Sequence, residues 1–238
     1  MKRMIEAVLF DLDDTLHDDT LAYKSAAEEV AWEVAAEHGI DALKLKNAYI
    51  AQAEGFWKQL DASSLSKKLE SIRAELWRAA LIEVGIHDEV AARQAAVNYN
   101  RYRKKYFKLF PGAVDLLRML RTRDVKLGLV TNGFSVTHRE KIALLQIGEY
   151  FDAIFIADEV GMIKPDPLLF AHACQKLERA PAVSAMVGDR YERDIRGAQR
   201  AGLFTVWMNI HGATLPPDAP APGATVDTIV EVGAALGF

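Results

Sequence analysis

Asp11 and Asp13 stand two residues apart just after an apolar run, Ala7-Val-Leu-Phe10. In an extended segment that spacing turns both carboxylates to one side, where they repel unless a cation or a shared proton lies between them. A divalent metal with oxygen ligands meets that need. Taken alone, the stretch also reads as the plain end of a strand, since Asp and Thr are common loop and capping residues. A calcium loop fits less well, because Asp11-Leu-Asp-Asp-Thr15 lacks the third spaced acid, the glycine and the distant glutamate of an EF-hand. Three more polar clusters follow along the chain: Thr131 with Asn132, Lys164, and Asp189 with Asp194. Each by itself reads as a turn, a helix start or an N-cap. Together they supply what phosphoryl transfer requires: a carboxylate nucleophile, acids for a magnesium ion, a fixed positive charge, and donors to the equatorial oxygens.

These clusters act together only if the fold gathers them, and the pattern of elements predicts that it does. Ala7 to Phe10 fits a strand buried on both faces, which needs no alternation of apolar and polar residues. From Leu21 to about Phe107 the pattern is helical. It predicts four helices, over about 21–38, 42–60, 66–84 and 88–107, with Gly55 interrupting the second. Short connections between them imply a small antiparallel bundle. Phe110-Pro-Gly112 breaks that pattern, and βαβ units follow. Strands are predicted at 125–130, 153–157, 183–187 and 203–208, with a short edge strand at 225–226. Helices are predicted at 113–123, 135–146, 168–177 and 194–201, and a last one from about Asp227. Each polar cluster lies at or beyond the carboxyl end of a strand, the edge where open parallel α/β sheets bind ligands.

Bulk composition narrows the classes of partner. The 238 residues are 50% hydrophobic and 26% charged, enough for a substantial core in one large or two modest domains. A net charge of -4 gives no general attraction to a nucleic acid polymer or an anionic membrane. Neither a signal peptide nor a membrane span is supported, so a cytoplasmic protein is expected. The single cysteine, Cys174, excludes an internal disulfide and reads as part of a buried helix face.

Asp11-Leu-Asp-Asp-Thr15, Thr131-Asn132, Lys164-Pro165 and Gly188-Asp-Arg-Tyr-Glu-Arg-Asp194 resemble the motifs of the haloacid dehalogenase-like hydrolases, and the resemblance spans nearly the whole chain. A helical block between the first and second motifs is similar to the subclass with an α-helical cap. Val130-Thr-Asn-Gly-Phe134, Glu159 to Asp166 and Ala201 to Asn209 resemble the pyrimidine 5'-nucleotidase and N-acylneuraminate-9-phosphatase branch. The resemblance implies a doubly wound, Rossmann-like parallel sheet as the core, over 1–16 and 111–238, with a helical-bundle cap over 17–110. It also implies roles. Asp11 is the nucleophile, and Asp13 is the general acid and then the base. Mg2+ takes the carboxylates of Asp11 and Asp189 and the backbone carbonyl of Asp13, while Asp194 orients a water or pairs with Lys164. Thr131 and Asn132 hold phosphoryl oxygens, and Lys164 neutralises charge on nucleophile and phosphate. The implied substrate is a small phosphorylated metabolite such as a nucleoside monophosphate or a sugar phosphate. The oligomeric state is left open.

A phosphomutase of the same superfamily uses the same four motifs, and a phospho-switch module also combines an aspartate, a threonine and a lysine. The helical insertion argues against the switch, whose unit is close to minimal domain size. Arg190 departs from the small polar residue more usual after the metal aspartate, and its expected partner is Glu192. His17 is placed to meet a substrate, whereas His38, His87, His138, His172 and His211 show no metal-ligand spacing and read as ordinary. Trp32, Trp57 and Trp77 read as core residues of the helical block. The basic, tyrosine-rich end of its fourth helix reads as a solvated face with tyrosines packed inward.

Overall fold

The computed structural model describes residues 4–238, which divide into two compact units: the stretch ending at Asp18 together with Leu109–Phe238, and Asp19–Lys108. The first unit holds β1 (Ala7–Phe10), β2 (Lys126–Thr131), β3 (Ala153–Ile156), β4 (Ser184–Gly188), β5 (Phe204–Met208) and β6 (Ala224–Val226). They form one sheet in the order β3-β2-β1-β4-β5-β6, with every pair parallel. The chain leaves β1 towards β2 on one side and returns to β4 on the other, so the order reverses beside β1. That reversal opens a crevice at the carboxyl ends of β1 and β4.

Strand alternation sends Val8 and Phe10 to one face and Ala7 and Leu9 to the other, and both faces are covered. Val8 and Phe10 pack with α5 (Ala113–Arg121), α6 (Ser135–Leu144) and α10 (Val232–Ala235). Ala7 and Leu9 pack with α8 (Pro167–Lys176) and α9 (Arg196–Arg200). Burial on both faces explains why these strands read as continuous apolar runs. Asp166 starts α8 by accepting the Leu168 N–H at 2.9 Å, and Pro167 occupies the first turn, where its missing N–H is harmless. Cys174 is buried on the inward face of that helix.

The second unit consists of α1 (Asp19–His38), α2 (Ala42–Lys58), α3 (Leu69–Glu83) and α4 (Glu89–Lys105). α1 and α3 each pack on both α2 and α4. Asp41 and Asp88 cap α2 and α4 by accepting backbone N–H groups. α2 runs straight through Gly55. The third helix begins at Leu69, three residues later than its sequence pattern predicts, behind a 3-10 turn at Ser64–Ser66. α1 buries Ala22, Ala26, Ala27, Val30, Ala31 and Val34, so Trp32 on the opposite side is 64% exposed and is no core residue. Trp77 is buried and stacks on Tyr49 at 3.9 Å. At the end of α4 Tyr99 and Tyr102 pack inward and Arg101, Lys104 and Lys105 are exposed, while Arg103 departs from that pattern, being buried and paired with Asp19. Among the described residues, no helix is long and apolar enough to cross a membrane.

Candidate active site

Register alone brings the first acids together. Phe10 lies level with Val187, and the Asp11 N–H donates to the Val187 carbonyl at 2.9 Å. Asp11 therefore follows β1 where Gly188 and Asp189 close β4, at the crevice beside the reversal. Asp194 joins them through a π-helical turn, Tyr191–Ile195, which replaces the first turn of the predicted helix and leaves an α-helix over Arg196–Arg200 only. Asp194 accepts the Arg190 N–H at 2.9 Å and lies so close to Gly188 that a Cβ there would fall 2.5 Å from it. The glycine is what admits the acid.

Lys164 is the cation of the cluster. Its Nζ donates to Asp11 Oδ1 at 2.6 Å and to the Val130 carbonyl at 2.9 Å, and lies 2.7 Å from Asp194 Oδ1. Asn132 fixes its backbone from both ends of one amide: the side-chain oxygen accepts the Lys164 N–H and the side-chain NH2 donates to the Lys164 carbonyl, each at 2.9 Å. The side chain of Asn132 thus serves Lys164. Thr131 is the buried last residue of β2.

Burial pushes the Asp11 carboxyl up to about 6, against the pull of Lys164 and with help from Asp194 and Asp13. Burial raises Asp189 well above the ordinary range, and Asp194 and Asp11 add to it. Burial works against the Lys164 charge, but Asp11 and Asp194 outweigh it and raise its pKa. Asp11, Asp189 and Asp194 bring ligand oxygens within 4.8 Å of one another. Asp189 Oδ1 is buried without a hydrogen-bond partner, and an oxygen-only donor set suits a hard divalent cation. The residues present fit such an ion.

Two placements differ from the sequence expectations, those of Arg190 and His17. Arg190 turns to Asp189, with Nε 3.2 Å from Oδ2, while Glu192 pairs with Arg196 one helical turn on. Asp189 is the nearer and more buried carboxylate, and its charge raises the Arg190 pKa against the effect of burial. The side chain of His17 is fully buried, and its backbone bridges to Asp13 and Leu109. The Asp13 carboxylate stands outside the group formed by Asp11, Asp189 and Asp194 and faces α6. Lys141 Nζ lies 2.5 Å from Asp13 Oδ1, and His138 Nε2 lies 3.6 Å from Oδ2. The sequence did not single out Lys141, and His138 read there as ordinary. The available signal was their spacing of three, on one face of the helix that directly follows Thr131-Asn132.

The model of the haloacid dehalogenase-like hydrolases matches residues 5–202. The chain belongs to that family. Among relatives of this hydrolase, the glyceraldehyde 3-phosphate phosphatase of Methanopyrus kandleri is 35% identical over 214 residues, covering 85% of this chain and 83% of that protein. The N-acylneuraminate-9-phosphatase of Rattus norvegicus is 32% identical over 243 residues, covering 98% and 94%. Among solved structures, the magnesium-bound hydrolase YfnB of Bacillus subtilis superposes with a TM-score of 0.78 at 25% identity, covering 99% of this chain and all of that one. The hydrolase fold and the four motif clusters thus occur in one chain, and this protein is an enzyme of the hydrolase class.

Proposed function

We propose that this hydrolase is a magnesium-dependent phosphomonoesterase for a small phosphorylated metabolite, a nucleoside monophosphate or a sugar phosphate. The observation that carries the reading is the junction of β1 and β4, where Asp11 meets Lys164 at 2.6 Å beside the unpartnered oxygen of Asp189. A nucleophile, a fixed cation and a buried acidic donor share one edge. The relatives named as phosphatases of small sugar-like phosphates support the substrate class, and the magnesium in YfnB supports the ion.

In the first step an Asp11 oxygen attacks phosphorus as the bond to the leaving oxygen breaks, and Asp13 delivers its proton to that oxygen. The product is an aspartyl-phosphate on Asp11 and a free alcohol. In the second step Asp13 takes a proton from water as the water oxygen attacks phosphorus, the bond to Asp11 breaks, and phosphate leaves. The Thr131 hydroxyl and the Asn132 N–H donate to phosphoryl oxygens, and Lys164 balances the charge that gathers on Asp11 and the phosphate. The carboxylates of Asp11 and Asp189 and the Asp13 backbone carbonyl would hold Mg2+, with Asp194 behind them. Such an ion supplies charge neutralisation that lets two anions approach.

A phosphate-release screen over nucleotides, sugar phosphates and small carboxylate phosphates tests the reading, with and without magnesium. Release that requires the metal is expected. Transfer of the phosphoryl group back to a sugar would make the protein a mutase, and a long-lived aspartyl-phosphate would make it a switch.

A further inference from the structure

α6 carries two polar side chains that its packing does not explain. The helix is held at its start by Asp158, which accepts the Ser135 N–H at 2.8 Å and faces the Ser135 hydroxyl at 3.0 Å. The Arg139 guanidinium adds a two-pronged pair to Glu159, at 2.9 and 2.6 Å. Both acids belong to α7 (Ala157–Val160), so α6 is fixed in rotation and in height. Its inner face then presents His138, 7% exposed, and Lys141, 1% exposed, to the two oxygens of Asp13. His138 Nδ1 lies 3.0 Å from the Phe134 carbonyl, which can only accept, so the proton sits on Nδ1 and Nε2 faces Asp13. Gly133, at φ +135°, is stacked under that ring, where a Cβ would lie 2.5 Å from His138 Cε1. Burying an ammonium group is costly unless it is paired, and this one meets the carboxylate beside the nucleophile.

We propose that Lys141, backed by His138, is the positioning residue that holds the Asp13 carboxylate in place for its two proton transfers. The inference rests on the phosphomonoesterase reading. An acid that must reach the leaving oxygen and then the water loses rate if its carboxylate swings toward the group formed by Asp11, Asp189 and Asp194. The Lys141 ammonium, 2.5 Å from Asp13 Oδ1, ties the carboxylate to α6 and opposes that swing.

The test uses the full chain with magnesium and compares wild type, Lys141→Met, Lys141→Arg and His138→Gln, each also in the Asp13→Asn background. Lys141→Met is expected to lower kcat for an alkyl phosphate by roughly 10- to 10²-fold, with KM within about twofold of wild type. Enzyme phosphorylation by p-nitrophenyl phosphate in a single turnover should change far less, because that leaving group departs without a proton. Lys141→Arg should regain part of the loss, and in Asp13→Asn the Lys141→Met change should cost nothing further. Equal losses for both esters, a loss confined to KM, or a full additional loss in Asp13→Asn would overturn the proposal. Circular dichroism checks each fold. If Lys141→Met does not fold, Lys141→Arg and His138→Gln carry the same comparison of esters and backgrounds. A wild type that releases phosphate from no ester would sink the phosphomonoesterase reading itself, an outcome distinct from an active wild type whose variants show no coupling.

Discussion

At the scale of single residues, the site is governed by four buried charges in one edge: Asp11, Asp189 and Asp194 against Lys164. Lys164 inside the cluster and Arg190 at its edge do not balance the crowded acids, so burial and mutual repulsion hold Asp11 up near 6 and raise Asp189 well above the ordinary carboxyl range. Magnesium affinity should therefore rise as pH climbs through about 6, because below it the metal competes with a proton on Asp11. The sign for folding is the reverse in the metal-free protein. A carboxyl raised on folding holds its proton more tightly folded than unfolded, so stability is lost as pH rises from the ordinary carboxyl range through about 6. Titration calorimetry at pH 5 and pH 7 checks the first expectation, with proton release at the lower value. Denaturation curves with and without magnesium check the second. Asp11→Asn should lower turnover at least about 10³-fold, since an amide is neither nucleophile nor anionic ligand. Its metal-free form should fold at least as stably as wild type, having shed one crowded charge. Turnover near the wild-type rate in that variant would remove Asp11 from the chemistry.

At the scale of elements, what the sequence disclosed depended on how local the cause was. Asp11, Thr131 and Asp189 were legible because an apolar run followed by a polar residue marks the end of a buried strand, where such sheets place ligands, whereas Lys164, beyond α7, was legible only by its Lys-Pro motif. Asp194 was legible by motif, although the π-helical turn that aims it at Lys164 was not. That turn depends on the close approach allowed by Gly188, a contact across the fold. Lys141 went unmarked and His138 read as ordinary because a helix with polar residues on several sides does not declare which side faces inward. Docking on α7 decides it. The alanine-rich face of α1 shows the same limit from the other side: it buries small residues and turns Trp32 outward, although tryptophan alone predicts the opposite. Since Asp158 sets the start of α6, Asp158→Ala should cost about 1 kcal/mol of stability, the usual worth of a helix N-cap. Urea denaturation measures it. A loss well below that figure would mean that the Arg139 pair with Glu159 fixes the helix alone.

At the scale of the whole molecule, the chain is two units with separate cores, and each chemical group of the candidate site comes from the sheet-bearing one. The predicted division at 16/17 and 110/111 lies two residues from the observed one at 18/19 and 108/109, where Pro111 and Gly112 mark the return to the sheet. We propose that the helical unit serves as a cap that chooses the substrate, since the sheet edge presents groups suited to the phosphoryl end alone. Selectivity for the rest of the metabolite then needs side chains from elsewhere. The structure of the junction makes a direct test feasible. Within the sheet-bearing unit, His17 bridges to Leu109 and the Phe110 N–H donates to the Leu16 carbonyl at 2.9 Å, so the two cut ends already lie side by side. A linker of about three residues between Asp18 and Leu109 spans such a gap without stretching, as in a short hairpin connection. All six strands and both apolar layers survive the deletion, and circular dichroism with a cooperative thermal transition shows whether the fold does too. The shortened protein should keep measurable turnover of p-nitrophenyl phosphate with magnesium, while the metabolite preferred by the full chain loses its advantage in kcat/KM. If the ranking of substrates is unchanged, selectivity belongs to the loops of the sheet edge, with exposed Arg190 the first residue to replace.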